Sequence, residues 1–431
     1  MAKYKKFKAP DWMKLDNAAT IYPSTLSRKY AAMFRMSITL TERIDKGILN
    51  ESLNNVIKRF PAFRYKLKRG IFWCYFKHII GVPRIEEDSI NPMLRINFRK
   101  NKGFMFRIRC FDRRIAIEYF HALTDGTGGI TFLLSLTAEY LRIKYGIKIN
   151  YNDKILNPRE KPKKDEYSDS FKKFARNIGG LEKEVPAYHQ KGKIEPMHII
   201  NIITGTIDVD KLKILSKSYN VTITEFLVSI MLLSLQEIQE SEKIKQSKRK
   251  PIKIFVPINL RNIYPTKTMR NFSSYVNIGI DTKYGHYELD EIIKIVKSSM
   301  ELMVTEKRIN SKISANVKLS RNIFIRIIPM FLKKRILSMF EYFMGDNYNS
   351  CSLSNIGLLD VPENMLEYIE DVNFMIGRSR TKPTSCSCVS LGNKLYLTFS
   401  RKIKEAEFER IFFSKLVEMG IPVEIESNRG R

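Results

Sequence analysis

The stretch RIAIEYFHALTDGTGGITFLLSL, residues 114–136, decides the fold class of this chain. Its first part is rich in β-branched and aromatic side chains, which predicts a strand that ends at Phe120. A loop with His121 and Asp125 follows, and the apolar residues after the loop recur at helical spacing. The loop also carries three glycines, Gly126, Gly128 and Gly129. A strand that passes through such a loop into a helix is typical of domains that mix helices and sheets.

Two interpretations of His121 and Asp125 are open at this level. An aspartate before a helix start is an ordinary N-cap, and a single histidine at a strand end is usually structural. Alternatively, a neutral imidazole with a pKa of about 6.5 could take a proton from a hydroxyl, amine or thiol that attacks a carbonyl carbon. Asp125 could then anchor the loop through a bidentate arginine, and the glycines would let a thioester approach the backbone closely. The spacing alone favours the N-cap.

The residues before and after this stretch predict further elements of the first half. A helix should end near Phe60, because Pro61 disfavours helical backbone in the residue before it. The helix after the glycine loop should stop at Gly146. Strands are predicted for residues 70–76, 93–100, 104–111 and 114–120, with a hairpin turn at 112–114.

The second half shows the same mixture of elements. Residues 205–220 predict a strand that leads into a helix. Thr222 and Glu225 form a capping box before a helix that is apolar nearly all round, so this helix should be buried. Further strands are predicted for residues 251–261, 273–282 and 394–401.

A length of 431 residues favours two domains of roughly 200 residues each. Residues 150–197 are charged, contain prolines and hold few apolar side chains, which is typical of a linker. We therefore predict an N-terminal domain over residues 1–165, a linker over 166–197 and a C-terminal domain over 198–431. Because strands and helices mix without a regular βαβ alternation, the predicted class is α+β with mixed sheets.

The composition is strongly basic, with a formal net charge of +30 and a pI near 9.8. Such a charge favours an anionic partner, such as nucleic acid, an acidic lipid surface or a phosphate-bearing cofactor. Nucleic-acid binding is not predicted, because no zinc-finger spacing or aromatic RNA-binding signature accompanies the basic residues. A source genome biased toward Lys, Ile and Asn would give a similar balance.

The five cysteines, an odd number in a chain without an apolar leader, predict reduced thiols and a cytoplasmic location. Cys386 and Cys388 lie on one face of a probable strand, which favours buried packing over a metal site. No run of about 18 apolar residues predicts a spanning helix. Residues 322–345 predict an amphipathic helix pair, and packing against the protein's own core is favoured over docking at a membrane surface.

The stretch FHALTDG resembles the HxxxDG motif of the chloramphenicol acetyltransferase-like superfamily, which includes condensation domains, BAHD acyltransferases, wax-ester synthases and alcohol acetyltransferases. Four further stretches resemble segments of the alcohol acetyltransferase branch in the same order. They are FPAFRYKLKRGIFWCYF (60–76), VTITEFLVSIMLLSL (221–235), VPINLRNIYPTKTMRNFSSYVN (256–277) and SLSNIGLLDVP (352–362). The resemblance extends over most of the chain, from about residue 16 to residue 421.

The resemblance implies two similar domains with an active-site tunnel at their interface. It implies that His121 is the general base, that Asp125 is structural and that Arg261 pairs with it. Gly126, Gly128 and Gly129 would form the loop that the acyl donor approaches, and Tyr275 and Asn277 would line the site. The donor would be acyl-CoA or an acyl-phosphopantetheine carrier protein, and the acceptor a small hydroxyl compound. No metal and no permanently bound cofactor is expected.

Three functions follow as hypotheses. The first is a CoA-dependent O-acyltransferase of the alcohol acetyltransferase type. The second is a condensation-like enzyme that forms an amide or ester on carrier-bound substrates; Phe120 replaces the first of the two histidines in that motif, which weakens this hypothesis. The third is a non-catalytic basic module of the same fold that uses its basic surface to bind lipid or a polyanion. For any of the three, the expected location is the cytoplasm, with peripheral contact at the inner membrane surface as an alternative. The DFGWG motif of BAHD enzymes is absent from the sequence, which argues against that branch.

Overall fold

The structure is a computed structural model that describes residues 9–26, 30–176, 180, 184–333, 335–336 and 346–429. Its strands are β1 (Trp12–Lys14), β2 (Met33–Leu40), β3 (Tyr65–Arg69), β4 (Cys74–His78), β5 (Ile85–Glu87), β6 (Phe106–Phe111), β7 (Arg114–Phe120), β8 (Asn201–Asp208), β9 (Ile252–Asn259), β10 (Ser273–Ile280), β11 (Cys351–Leu358), β12 (Ile369–Ile376), β13 (Thr384–Leu391), β14 (Lys394–Arg401) and β15 (Val423–Ser427). Its α-helices are α1 (Tyr22–Thr25), α2 (Lys46–Val56), α3 (Gly126–Tyr145), α4 (Ser170–Phe174), α5 (Val209–Ser218), α6 (Ile223–Ser241), α7 (Leu289–Met303), α8 (Glu306–Arg321), α9 (Ile323–Ile327), α10 (Glu363–Leu366) and α11 (Glu407–Glu418). The predicted α+β class with mixed sheets is confirmed.

The N-terminal half is built on a five-stranded sheet with the order β12-β2-β7-β6-β5. Helices α2 and α3 pack on each other, and α3 also contacts β2 and β7. Helix α3 ends at Gly146, which takes the left-handed conformation with φ of 70°, as predicted. The edge strand β12 comes from the C-terminal half and runs antiparallel to β2. The two halves of the chain therefore share one sheet.

The C-terminal half is built on a seven-stranded mixed sheet with the order β10-β9-β11-β13-β14-β8-β15. Helix α6 begins at the predicted capping box, in which the Glu225 amide donates to Thr222 Oγ1 and the Thr222 amide donates to Glu225 Oε2. Most apolar side chains of α6 are buried, as its sequence requires. Within the described ranges, no single helix is long and apolar enough to cross a membrane, and only α5 and α6 together, bent by 79°, reach that length.

The described residues of the predicted linker pack against both halves of the molecule. Glu166 is buried and forms an ion pair with Arg59, which follows α2. Phe171 lies edge-on to Phe272 with 5.1 Å between ring centroids. Most charged side chains of this segment are exposed, but Glu166 is buried because Arg59 neutralises its charge.

Two strand predictions of the first half are wrong. Residues 93–100 form a loop and a turn, because the side chains of Glu118 and Arg107 bind the backbone of Met93 and Leu94. Strand β5 takes the place beside β6 instead. Residues 70–73, predicted as the start of a strand, are the turn between β3 and β4, closed by a hydrogen bond from the Gly70 amide to the Trp73 carbonyl.

The amphipathic helix pair predicted for residues 322–345 is described only in part. Helix α9 and the helical residues 330–333 and 335–336 are present, whereas residues 334 and 337–345 lie outside the described residues. Packing of this segment against the protein's own core is wrong for its described part. Phe324 and Phe331 are each 74% exposed, because the segment runs along the surface after α8.

Cys386 and Cys388 on β13 are buried, as predicted from their strand pattern. Burial raises the pKa of Cys388 to about 12, so this thiol stays protonated at neutral pH. No cluster of three or more potential metal ligands is found among the residues that the structure describes.

Candidate active site

A cavity of about 1510 Å³ lies between the two halves. His121, Tyr22 and Phe34 from the N-terminal half line it, and so do Tyr275 and Ser354 from the C-terminal half. A cavity of this volume exceeds the usual size of a single small-molecule pocket, which is about 300–1,000 Å³. It therefore has room for two substrates at once.

His121 is held at the end of β7 by its backbone and by its ring. Its amide donates a hydrogen bond to the Ala32 carbonyl at 2.9 Å. The imidazole stacks on Tyr22 with 4.7 Å between centroids and lies edge-on to Phe34 at 5.2 Å. The Nδ1 atom lies 3.1 Å from Asn271 Oδ1. With this oxygen as acceptor, Nδ1 carries the proton and Nε2 keeps its lone pair.

The surroundings of His121 favour the neutral ring. Burial lowers its pKa below the ordinary value, because the charged imidazolium loses hydration. Hydrogen bonds with its own backbone and with Asn271, and the negative charge of Asp125, act in the opposite direction and only offset part of this shift. At neutral pH the ring is thus a proton acceptor.

Asp125 is the N-cap of α3, and it also joins the two halves. Its Oδ1 accepts from the Gly128 amide and from Arg261 Nη2, both at 3.2 Å. Its Oδ2 accepts from Arg261 Nη1 at 2.9 Å and from the Phe272 amide at 2.8 Å. The Asp125–Arg261 pair is therefore bidentate. The sequence offered two interpretations of Asp125, as an N-cap and as an anchor for the loop. In the structure one carboxylate has both roles.

Arg261 also binds the backbone of the loop that leads into β10. Its Nε and Nη2 donate to the Thr268 carbonyl at 2.9 and 2.8 Å, and Nη2 donates to the Arg270 carbonyl at 2.7 Å. Arg270 and Phe272 are the chain neighbours of Asn271. The ion pair thus fixes the backbone on both sides of the residue that contacts His121.

Asn271 is a site residue that sequence reasoning missed. Asn271 lies within the segment that resembles the alcohol acetyltransferases, but no local sequence pattern distinguishes it from the other asparagines of that segment. The Asp16 carboxyl lies within hydrogen-bond reach of the Asn271 side chain. Burial raises the pKa of Asp16 to about 6, against the opposing effect of Arg270, whose Nη2 lies 3.3 Å away.

The three loop glycines have different surroundings. Gly126 lines the cavity, where an added Cβ would press on the tip of the Ile356 side chain at 2.6 Å and make an ordinary contact with Met36 at 3.8 Å. At Gly128 an added Cβ would collide with the Met269 carbonyl and Thr124, and at Gly129 it would meet Phe34. The prediction that all three glycines open the loop to the donor is therefore wrong for Gly128 and Gly129, since protein atoms fill that space.

Tyr275 and Asn277 lie on the same strand but differ in access. Tyr275 lines the cavity, stacks on Phe255 at 4.8 Å and has its pKa raised to about 12 by burial. Asn277 is not among the lining residues, because its Nδ2 donates to Glu184 Oε2 at 2.7 Å and Glu184 covers it. The prediction that Asn277 lines the site is wrong in this respect.

The family of the chain follows from a comparison of its sequence. A family model described as alcohol acetyltransferase matches residues 170–394, more than half of the chain. The chain belongs to the alcohol acetyltransferase family. No curated protein sequence matches it at a significant level. The protein is thus an acyltransferase by family.

Solved structures show the chloramphenicol acetyltransferase-like fold over nearly the whole chain. TRI101 of F. graminearum, complexed with ethyl coenzyme A, is 12% identical, with a TM-score of 0.61 and coverage of 97% of this chain and 99% of that one. Polyketide synthase associated protein 5 of Mycobacterium tuberculosis is 12% identical, with a TM-score of 0.59 and coverage of 94% and 96%. The starter condensation domain of rhizomide synthetase, in complex with C8-CoA, is 10% identical, with a TM-score of 0.57 and coverage of 94% of each chain.

Proposed function

We propose that this protein is a coenzyme A-dependent O-acyltransferase in which His121 is the general base toward a hydroxyl acceptor. The observation that carries the proposal is the 3.1 Å contact between His121 Nδ1 and Asn271 Oδ1 at the wall of the shared cavity. This contact occupies one ring nitrogen and leaves Nε2 for proton transfer. Family membership supports the acyl transfer, and the geometry of the ring supports the choice of base.

The reaction needs no covalent enzyme intermediate. Nε2 takes the hydroxyl proton of the acceptor while the hydroxyl oxygen attacks the thioester carbonyl carbon, which gives a tetrahedral oxyanion. When the C–S bond breaks, the imidazolium returns the proton to the departing sulfur. An ester and a free thiol leave, and His121 is neutral again. Asn271 is a positioning residue in this scheme, because it selects the tautomer through Nδ1.

Positive side chains along the cavity fit the phosphates of an acyl-CoA donor. They come from both halves: Lys14, Lys154, Lys172, Lys312, Arg321, Arg326 and Lys382. An acyl carrier protein with phosphopantetheine would present similar chemistry at one mouth. The side chain of Phe120, which stands where condensation domains have their first histidine, is buried in the N-terminal core, which favours acyl transfer to a free hydroxyl over carrier-bound condensation.

Replacement of the base tests the proposal. His121→Ala should lower kcat in a thiol-release assay by roughly 10²–10⁴-fold while the melting temperature changes little. His198→Ala is the matched control, because His198 is exposed and lies outside the cavity lining. Near-normal turnover in the His121 variant would refute the assignment. Turnover with an acyl carrier protein and none with acyl-CoA would favour the condensation-like function.

A further inference from the structure

An exposed apolar surface lies beside the cavity. We name it the apolar rim, and it consists of residues 71–73 at the turn between β3 and β4 and residues 323–336 after α8, as far as these are described. Ile71 is 75% exposed, Trp73 54%, and Phe324 and Phe331 74% each. Single exposed apolar residues are common, but a contiguous group of this size marks a surface that another body covers.

The two segments of the rim form one surface. The Met330 amide donates to the Ile71 carbonyl at 2.7 Å. Lys333 Nζ donates to the Phe72 carbonyl at 2.8 Å. These hydrogen bonds join segments more than 250 residues apart in sequence, so the apolar side chains on both segments are presented together.

The charge of the rim has one sign. Neither residues 65–77 nor residues 307–340 contain an aspartate or a glutamate. Arg321, Arg326 and Arg335 are exposed within or beside the rim. Burial, together with the nearby charge of Arg326, lowers the pKa of Lys333. Aromatic and aliphatic side chains combined with cations are typical of surfaces that bind the interface of an anionic bilayer.

The rim also borders the cavity that holds His121. Phe72, Trp73, Met330 and Ile336 line that cavity as well as the surface. A body that covers the rim would therefore face one mouth of the candidate active site.

We propose that the apolar rim docks on an anionic phospholipid bilayer. The apolar side chains enter the interfacial layer, and the arginines contact the lipid phosphates. A second copy of this chain is disfavoured as the occupant, because two rims face to face would bring cations against cations. A second step rests on the proposed acyl transfer: a lipophilic acceptor or acyl chain would pass from the bilayer into the cavity.

Vesicle binding tests the docking directly. Full-length protein should sediment with vesicles of phosphatidylcholine and phosphatidylglycerol, and only weakly with phosphatidylcholine alone. Arg321→Gln/Arg326→Gln should lower the vesicle affinity by roughly fivefold for each cation removed, and less so at high salt. Phe324→Ser/Phe331→Ser should lower it by at least about tenfold. Circular dichroism melting checks that each variant is folded.

Matched controls lie on exposed surfaces away from the rim. Ile214→Ser/Ile425→Ser removes two exposed apolar side chains, and Lys211→Gln/Lys213→Gln removes two exposed cations from α5. Both should bind as the unaltered protein does. An equal loss in the lysine control and the arginine variant would overturn the proposal, because binding would then follow net charge alone. An equal loss in the isoleucine control and the phenylalanine variant would also overturn it, because binding would then not depend on the rim.

A tryptophan signal gives a second readout. The chain has two tryptophans, and Trp12→Phe leaves Trp73 in the rim as the reporter. Its emission should shift to the blue when anionic vesicles are added. The proposal would be overturned if the emission does not shift and the protein does not sediment with the vesicles. It would also be overturned if the rim mediates self-association, or binds an acidic carrier protein, without binding vesicles. His121→Ala should bind vesicles normally, so failure of the acyl-transfer proposal is distinguishable from failure of the docking.

Discussion

Asp125→Asn should lower stability and activity together, because the carboxylate holds the loop that positions Asn271. The substitution replaces one oxygen by an NH2 group. If that oxygen is Oδ2, the new NH2 group faces Arg261 Nη1 and the Phe272 amide, two donors that in the unaltered protein donate to Oδ2 at 2.9 and 2.8 Å. Each lost bond to a charged group costs about 1.5–3 kcal/mol. The pair is largely buried, since the side chains of Arg261 and Asp125 are 10% and 6% exposed. Solvent screening therefore reduces this energetic cost only slightly.

The expected loss of unfolding free energy is about 3–5 kcal/mol, the usual cost of breaking a buried ion pair by removing one partner. At about 1 °C per kcal/mol for a cooperative unit of this length, the melting temperature should fall by roughly 3–6 °C. The thiol-release assay, run below the melting transition, should show kcat/KM reduced as well, because Asn271 no longer holds the tautomer of His121.

A double-mutant cycle with Arg261→Met measures the interaction energy between the two side chains separately from the effect of each substitution alone. The double variant should be less destabilised than the sum of the single variants by about 1–3 kcal/mol, since neither charge is left unpaired. Glu409→Gln is a control, because it breaks the buried pair with Arg401, 2.9 Å apart, outside the cavity lining. It should lower stability with normal activity of the folded protein. Activity lost at Asp125→Asn with unchanged melting would refute the structural role.

The remaining predictions concern the glycine loop and the pH profile. Gly128→Ala should lower the free energy of unfolding by about 1–3 kcal/mol, because the added Cβ collides with the Met269 carbonyl. Gly126→Ala should melt at the normal temperature and alter KM, because this glycine lines the cavity. Equal melting temperatures of the two variants in calorimetry would contradict this. Because burial lowers the pKa of His121 and the neutral ring is active, the acid limb of kcat/KM should lie at a lower pH than the limb of an ordinary histidine. Asn271→Asp should move this acid limb to higher pH, since a carboxylate stabilises the imidazolium; an unmoved limb would remove Asn271 from the site.

Local features of the fold could be predicted because their causes are local. The capping box of Thr222 and Glu225 needs only residues three positions apart, and it is present. The strand, loop and helix around His121 follow from periodicity in the same way. The pairing of Arg261 with Asp125, which are 136 residues apart, came from resemblance to a family and not from periodicity.

Features that depend on neighbours across the fold could not be predicted. Residues 93–100 have the composition of a strand, but β5 occupies the place beside β6 and buried side chains bind their backbone. Asn271 became a site residue only through the backbone bonds of its neighbours. In the apolar rim, the spacing of apolar residues over 322–336 predicts an amphipathic helix. That spacing is the same whether the apolar face packs on the protein core or on a lipid surface.

The shared sheet predicts how the two halves behave when separated. Strand β12 forms seven residue pairs with β2, so a fragment of residues 1–197 would leave β2 as an open edge. That fragment would also lose Val372 and Phe374, which are buried in the N-terminal core, and the bonds that Arg261 makes to Asp125. We expect it to aggregate or to melt without cooperativity, and co-expression with residues 198–431 to restore a soluble complex with activity. A monomeric 1–197 fragment with a sharp thermal transition would show that the N-terminal half folds by itself, and that β12 only completes a sheet that is already stable.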